Sequence, residues 1–264
     1  MNVVAAASPE LLGGTETPHA MEMALEAALL VMRNGGSTIA ADRSFANVLK
    51  GYDLEPVAST WRLDFISATS TAKGQSTTVI RPVGLIGVNL VRASEIAVLG
   101  ERVAKGEVAI AALGAEVERI KHLPSPYNRW VLAATAAATG ACYSQIPGGD
   151  AGSFGIAFVA AGVGQFLRSL LQARKLAVAP VTLACGLLSA LIAAIGLRLG
   201  FSAVETATLV GSVIYMVPGL PLINGFIDMV SHKYLLVGVE RMINAAFIFL
   251  ILAVAIALAD TVLL

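Results

Sequence analysis

Chemistry in this chain concentrates between Val213 and Asp228, which read VIYMVPGLPLINGFID. Two prolines three apart, with Gly219 between them, cannot sit in an undisturbed helix. Pro218 deprives the carbonyl of Ile214 of its donor, and Pro221 does the same to Val217, each at a cost of about 3 kcal/mol in an ordinary helix. In apolar surroundings those carbonyls need partners from neighbouring helices, from ordered water or from a polar cavity. Broken helices lining a cavity are how many secondary transporters build a substrate site. Pro221 suits the first position of a new short helix running to about Met229, whose unpaired amides form a positive end that favours a carboxylate. Asn224 and Asp228, four apart, share one face of that helix. Pro218, Gly219, Pro221, Asn224 and Asp228 are therefore the candidate site for a small carboxylated solute or a proton. The same residues also fit a proline kink that only shapes a bundle, with Asp228 as an interfacial cap.

Three arginines near apolar segments are secondary candidates: Arg129, Arg168 and Arg241. Long side chains at such places snorkel to the interface, so anchoring is their other reading. Glu205 and Asp260 fall near segment ends, as proton sites or as solvated interfacial groups. Cys142 and Cys185 lie in apolar runs and read as packing residues. His19, His122 and His232 stand singly, with no carboxylate or cysteine at ligand spacing. No Walker loop, G-x-S-x-G or C-x-x-C occurs. The expectation is a protein without metal, cofactor or catalytic residues, and not an enzyme.

The elements that position these residues follow from hydropathy. Of 264 residues, 56% are hydrophobic and 14% charged, and the mean hydropathy is +0.77. The first 126 residues carry 11 Lys/Arg and 13 Asp/Glu and the last 138 carry 7 and 5, so a globular half precedes an apolar one. A net charge of zero gives no footprint for nucleic acid. From Arg129 onward the uncharged windows are 20, 17, 22, 22 and 18 residues long, near the ~20 needed to cross a bilayer. Helices are expected at about 130–147, 152–171, 176–199, 204–228 and 240–262, in a transmembrane domain over 130–264. Lys121, Arg129, Arg168, Arg174, Lys175, Lys233 and Arg241 fall on one side and Arg198 on the other. That bias places the front domain in the cytoplasm and Leu264 outside. Ala133 to Ala141, with Gly155, Ala160, Gly162 and Gly164, provide small faces for close packing against other helices or another subunit.

In the front half, residues 1–18 form a tail without the charged region of a signal peptide. Residues 19–123 read as an α+β domain, and 124–129 as a linker built on Pro124-Ser125-Pro126. Met21, Ala24, Leu25, Ala28 and Leu29 mark an amphipathic helix over 19–32, and 37–50 a second one. Three β-branched segments follow (57–62, 63–69 and 77–81, with a hairpin-type loop at 71–76), then helices at 89–105 and 107–121. The fold class is thus a membrane protein with an N-terminal cytoplasmic α+β domain and a five-helix transmembrane bundle.

Met216-Val217-Pro218-Gly219-Leu220-Pro221-Leu222-Ile223-Asn224, with Asp228 four further on, resembles the PG-x-P-(apolar)2-N pattern of the bacterial threonine/serine exporter family. Tyr127-Asn128-Arg129-Trp130 is similar to that family's Y-S-R-W, with Asn128 replacing serine. Gly238 and Arg241 match its glycine and arginine before the last helix, and Gly87-Val88-Asn89-Leu90 resembles its turn before the late helices of the front domain. Within the family the likeness is to the larger subunit of two-subunit inner-membrane exporters linked to dicarboxylates such as succinate. It implies export of amino acids or dicarboxylates. Single-chain members carry a second bundle, whereas this chain stops at Leu264, so a small membrane subunit or further copies of the chain are the expected partners. The rival readings are a non-transporting assembly subunit and a membrane-anchored enzyme.

Overall fold

The computed structural model describes residues 16–72, 75–174 and 176–263. The expectations for the tail, the tip of the 71–76 loop, Lys175 and Leu264 lie wholly or partly outside them. The chain forms two compact units. The first comprises the chain up to Ser125 together with Leu220–Met242, and the second comprises Pro126–Gly219 with Ile243–Leu264.

The first unit is built on α1 (Glu16–Arg33), whose Met21, Ala24, Leu25, Ala28 and Leu29 are buried, as are Ala27, Leu30 and Val31 outside the amphipathic stripe. The helix is enclosed on more sides than its pattern suggests. α2 (Thr38–Gly51) starts at Ser37, whose hydroxyl accepts from the Ala40 N–H at 3.2 Å and so meets one of the orphan donors of the first turn. β1 (Pro56–Trp61), β2 (Phe65–Ala72) and β3 (Gln75–Pro82) make an antiparallel sheet in sequence order. Ile66, Ala68 and Ser70 of β2 alternate inward. α3 (Leu90–Ala104) and α4 (Ile110–Lys121) close the core with Ile96, Leu99, Val103, Leu113, Val117 and Ile120.

The helices after residue 128 follow in chain order. They are α5 (Arg129–Gln145), α6 (Ala151–Ala173), α7 (Val178–Arg198), the pair α8 (Glu205–Val213) and α9 (Gly219–Val230) with a 3-10 turn at Ile214–Met216, and α10 (Leu235–Leu263). The expected count of five spans is not reproduced. Among the described residues, three helices, α6, α7 and α10, are long and apolar enough to cross a membrane, or four if the broken α8/α9 pair is one span. With 17 residues, α5 reaches about 26 Å at 1.5 Å per residue, short of the ~30 Å hydrocarbon core. In the second unit, Gly140 of α5 and Gly211 of α8 touch. A Cβ on Gly140 would lie 2.7 Å from the Gly211 carbonyl oxygen, and one on Gly211 would lie 2.9 Å from that of Gly140. Only glycine admits this approach of two helix backbones.

The first unit also takes in Leu220–Met242, which the hydropathy pattern places in the membrane domain. Tyr234 and Val237 join the core of α1, α2 and the sheet, with the Tyr234 ring edge-on to Trp61 at 6.4 Å. Glu240 pairs with Arg62 and accepts from the Leu63 N–H at 3.0 Å.

Candidate functional site

The break comes where Val217 takes an extended backbone (φ −56°, ψ 129°). The two carbonyls that the prolines strip of their helical donors are satisfied within the chain, without a cavity. The Val217 N–H donates to Ile214 O at 3.0 Å, and the Gly219 N–H donates to Val217 O at 2.8 Å. The interruption therefore leaves neither carbonyl orphaned. α9 begins at Gly219, two residues before the expected Pro221.

Beyond the break, α9 turns its polar face inward. Asn224, Gly225 and Asp228 are buried, while Ile223, Phe226, Ile227 and Val230 are exposed. α9 crosses the start of α10 at two glycines, and a Cβ on Gly238 would meet the Gly225 carbonyl oxygen at 2.7 Å. This close crossing brings Asp228 and Arg241 together, Arg241 Nε lying 3.0 Å from Asp228 Oδ2 with side-chain exposures of 4% and 0%. The Nε–H is not aligned on an acceptor, so the contact is an ion pair by distance without a hydrogen bond through that atom.

Asp228 is held from the other side by the start of α2. The Thr38 N–H donates to Oδ1 at 3.2 Å and the Thr38 hydroxyl to Oδ2 at 2.7 Å. Arg241 Nη2 also donates to Gly36 O at 3.3 Å, and Asn224 Nδ2 to Gly35 O at 2.9 Å. Gly35 is in the left-handed region (φ +89°), and a Cβ there would come within 2.7 Å of the Leu220 side chain. Asn224, Asp228 and Arg241 thus clamp the turn Gly35–Thr38. Sequence reasoning expected the amino end of α9 to attract a carboxylate. The anion the structure provides is the Asp228 carboxylate, seated on the amino end of α2 and on Arg241, where helix dipole and ion pair both favour its charge.

Of the candidates, Asn224, Asp228 and Arg241 meet, with Pro218, Gly219 and Pro221 at the head of the helix that carries two of them. Arg129 opens α5 behind the cap Asn128, and Arg168 lies in α6; both belong to the second unit. Thr38, Gly35 and Gly36 are participants that the sequence reading did not single out. Ser37 and the glycines announce a helix start, but no local signal points to a partner 190 residues away. A second tie, also unforeseen, joins Asp42 to Lys233 and to the Tyr234 hydroxyl. Burial and the Asp42 carboxylate push the Tyr234 phenol up to about 12. Burial opposes the charge of Lys233, but Asp42 and the Tyr234 oxygen together outweigh it and hold this ammonium above its usual value.

The second unit has its own polar features. Asp150 caps α6 through the Ser153 N–H at 2.6 Å, and it also accepts from the Ser202 hydroxyl at 2.8 Å and the Ala203 N–H at 3.1 Å. These donors hold its carboxyl well below the usual range. Ser189 donates to Ala160 O at 3.0 Å and lies 3.1 Å from the Tyr215 hydroxyl.

Long apolar helices, one candidate span broken at Pro-Gly, and a buried charge pair directly after the break define a membrane protein of transporter type. The model of a family described as "Putative threonine/serine exporter" matches residues 22–263, and the chain belongs to that family. It is similar to the "Probable succinate transporter subunit YjjP" of Escherichia coli (strain K12), with 26% identity over 255 residues, covering 94% of this chain and 96% of that protein. It is also similar to the protein of the same description from Klebsiella aerogenes, with 22% identity over 240 residues, covering 90% and 92%. No solved structure matches.

Proposed function

We propose that the chain is the larger subunit of a secondary exporter in the bacterial inner membrane, moving small carboxylated metabolites, either amino acids of the threonine/serine type or dicarboxylates such as succinate. Family membership and the transporter-subunit relatives support this reading. α5, α6, α7, the α8/α9 pair and α10 are the membrane-embedded helices, the α+β part is cytoplasmic and the carboxyl terminus is outside, in keeping with the seven-to-one bias of basic residues. A small membrane subunit, or further copies of the chain, completes the path.

The observation that carries the proposal is the interruption at Val217–Gly219, followed by a helix whose polar face is clamped through Asn224, Asp228 and Arg241 to the turn before α2. Because the local amides take up the freed carbonyls, the chain can bend here at little cost in hydrogen bonds. Pro218, Gly219 and Pro221 make the joint, and Asn224 and Asp228 fix what lies beyond it. The apolar outer face of α9 suits hydrocarbon, which accepts such side chains and offers no partner to polar ones. Arg129 anchors the start of α5.

The test is efflux of labelled succinate and labelled threonine from proteoliposomes that hold the chain with and without a co-expressed small membrane subunit. Carboxylate-dependent efflux that needs this chain is the expected result. A partner that exports equally well in its absence would make the chain an assembly subunit.

A further inference from the structure

Arg168 is a cation of the apolar unit that makes no ion pair among the described residues. It sits in α6, five residues before the helix ends at Ala173, and is partly buried. The titratable groups close enough to act on it are Tyr215 and Cys185, and among the described residues no carboxylate pairs with it. The acids of this unit are Asp150, Glu205 and Asp260. Asp150 is occupied at the opposite end of the same helix, 18 residues away, or about 27 Å at 1.5 Å per residue. Glu205 begins α8, ten residues before Tyr215. Asp260 lies two turns beyond Leu252, the residue of α10 that packs with Cys185 and Met216.

Arg168 has polar neighbours on its own face of α6. One turn earlier on the same face of α6 is Gly164, where a Cβ would fall 2.1 Å from both the Ser189 and the Tyr215 hydroxyl oxygens. Both hydroxyls therefore lie over the helix surface that carries Arg168. Leu167 and Leu171 of α6, on either side of Arg168 in sequence, and Tyr215 pack against Val181, Cys185, Met216 and Leu252, so this stretch of α6 borders an apolar wall. A partly buried guanidinium beside such a wall is costly unless an oxyanion meets it, and its planar fork fits a carboxylate with two parallel hydrogen bonds. Met216 and Tyr215 belong to the 3-10 turn that leads into the break, so a solute held here would touch the interrupted helix directly.

We propose that Arg168, together with the Tyr215 hydroxyl, binds a carboxylate of the exported solute, while Ser189, its own proton on Ala160 O, holds the Tyr215 oxygen in place. This deepens the exporter reading and rests on it for the identity of the solute, whereas the binding itself is measured without transport.

The experiment is calorimetric titration of the full chain in nanodiscs with succinate, with threonine and with threoninol, which lacks the carboxylate. Arg168→Gln should weaken succinate and threonine binding at least tenfold, Arg168→Lys less, and Tyr215→Phe a few-fold, while threoninol binds none of the proteins. Arg168→Lys keeps the charge and serves if the glutamine variant does not fold. Equal binding by parent and Arg168→Gln, threoninol binding as well as threonine, or no carboxylate binding by the parent would overturn the site. So would Arg168-dependent binding of a short-chain phosphatidylglycerol that neither succinate nor threonine displaces, which would make a lipid headgroup the ligand. Arg168-dependent binding in a complex that exports nothing would refute the exporter reading alone.

Discussion

Replacing Asp228 by Asn tests the clamp at its centre. The asparagine keeps Oδ1 for the Thr38 N–H at 3.2 Å but presents an amide nitrogen where Oδ2 now meets the Thr38 hydroxyl at 2.7 Å and Arg241 Nε at 3.0 Å. The threonine hydroxyl can rotate and accept from that nitrogen. Arginine has only donors, so the loss falls on Arg241, whose side chain is 4% exposed and cannot turn to water in place. Removing one member of a buried pair costs about 3–5 kcal/mol, because the remaining charge is left uncompensated. Asn224→Ala, which leaves only the Gly35 carbonyl short of a donor, should cost about 1–3 kcal/mol. Arg241→Gln added to Asp228→Asn should cost less than the sum of the two single changes, by about 0.5–3 kcal/mol of coupling. Equilibrium unfolding of the purified chain in mild detergent reads the stabilities, and amide hydrogen exchange at Gly35–Thr38 reports whether the turn has come loose. A loss below about 1 kcal/mol for Asp228→Asn, with exchange at the turn unchanged, would refute the view that this ion pair holds α9 to α2.

Pro218→Ala combined with Pro221→Ala restores two helical donors; the folded chain should be at least as stable as the parent while its efflux falls tenfold or more, and full export by this variant would reduce the break to architecture. Asp150 has its carboxyl below the ordinary value of about 4, so its stabilisation is present above that pH and is lost as pH falls through the lower folded value. Thermal unfolding should accordingly show Asp150→Asn less stable than the parent at pH 7, with the gap narrowing below about pH 4. For the orientation, in a Cys142→Ala background a cysteine at the exposed Ile146 should react with an impermeant maleimide from outside whole cells and one at Arg174 should not; the reverse pattern would invert the proposed topology.

The break at Pro218–Pro221 could be read from the residues because it depends on local chemistry, a missing donor at a fixed offset. The fate of the freed carbonyls could not, since an extended Val217 and a 3-10 turn are choices among several backbone paths open to the same residues. Asn224 and Asp228 were placed on one face by spacing alone, and that face proved to be the buried one. What it faces was invisible, because Thr38 and Asp228 are 190 residues apart and no periodicity carries information over that distance. Hydropathy placed all of 204–228 in the membrane domain, yet the units divide at Gly219/Leu220, since the polar groups of the later part find their partners on α2.

Composition and helix-length apolar windows determined that the chain enters a membrane, because transferring some twenty apolar residues out of water outweighs any local preference. Proline and glycine chemistry likewise determined where its helix must break. Tertiary structure alone decided that Asp228 is spent on Arg241 and the amino end of α2, and that Arg168 meets no carboxylate among the described residues. The pairing of charges depends on which helix faces meet in space, and that follows from packing over the whole chain, including single glycines such as Gly225 and Gly238 that let two helices touch.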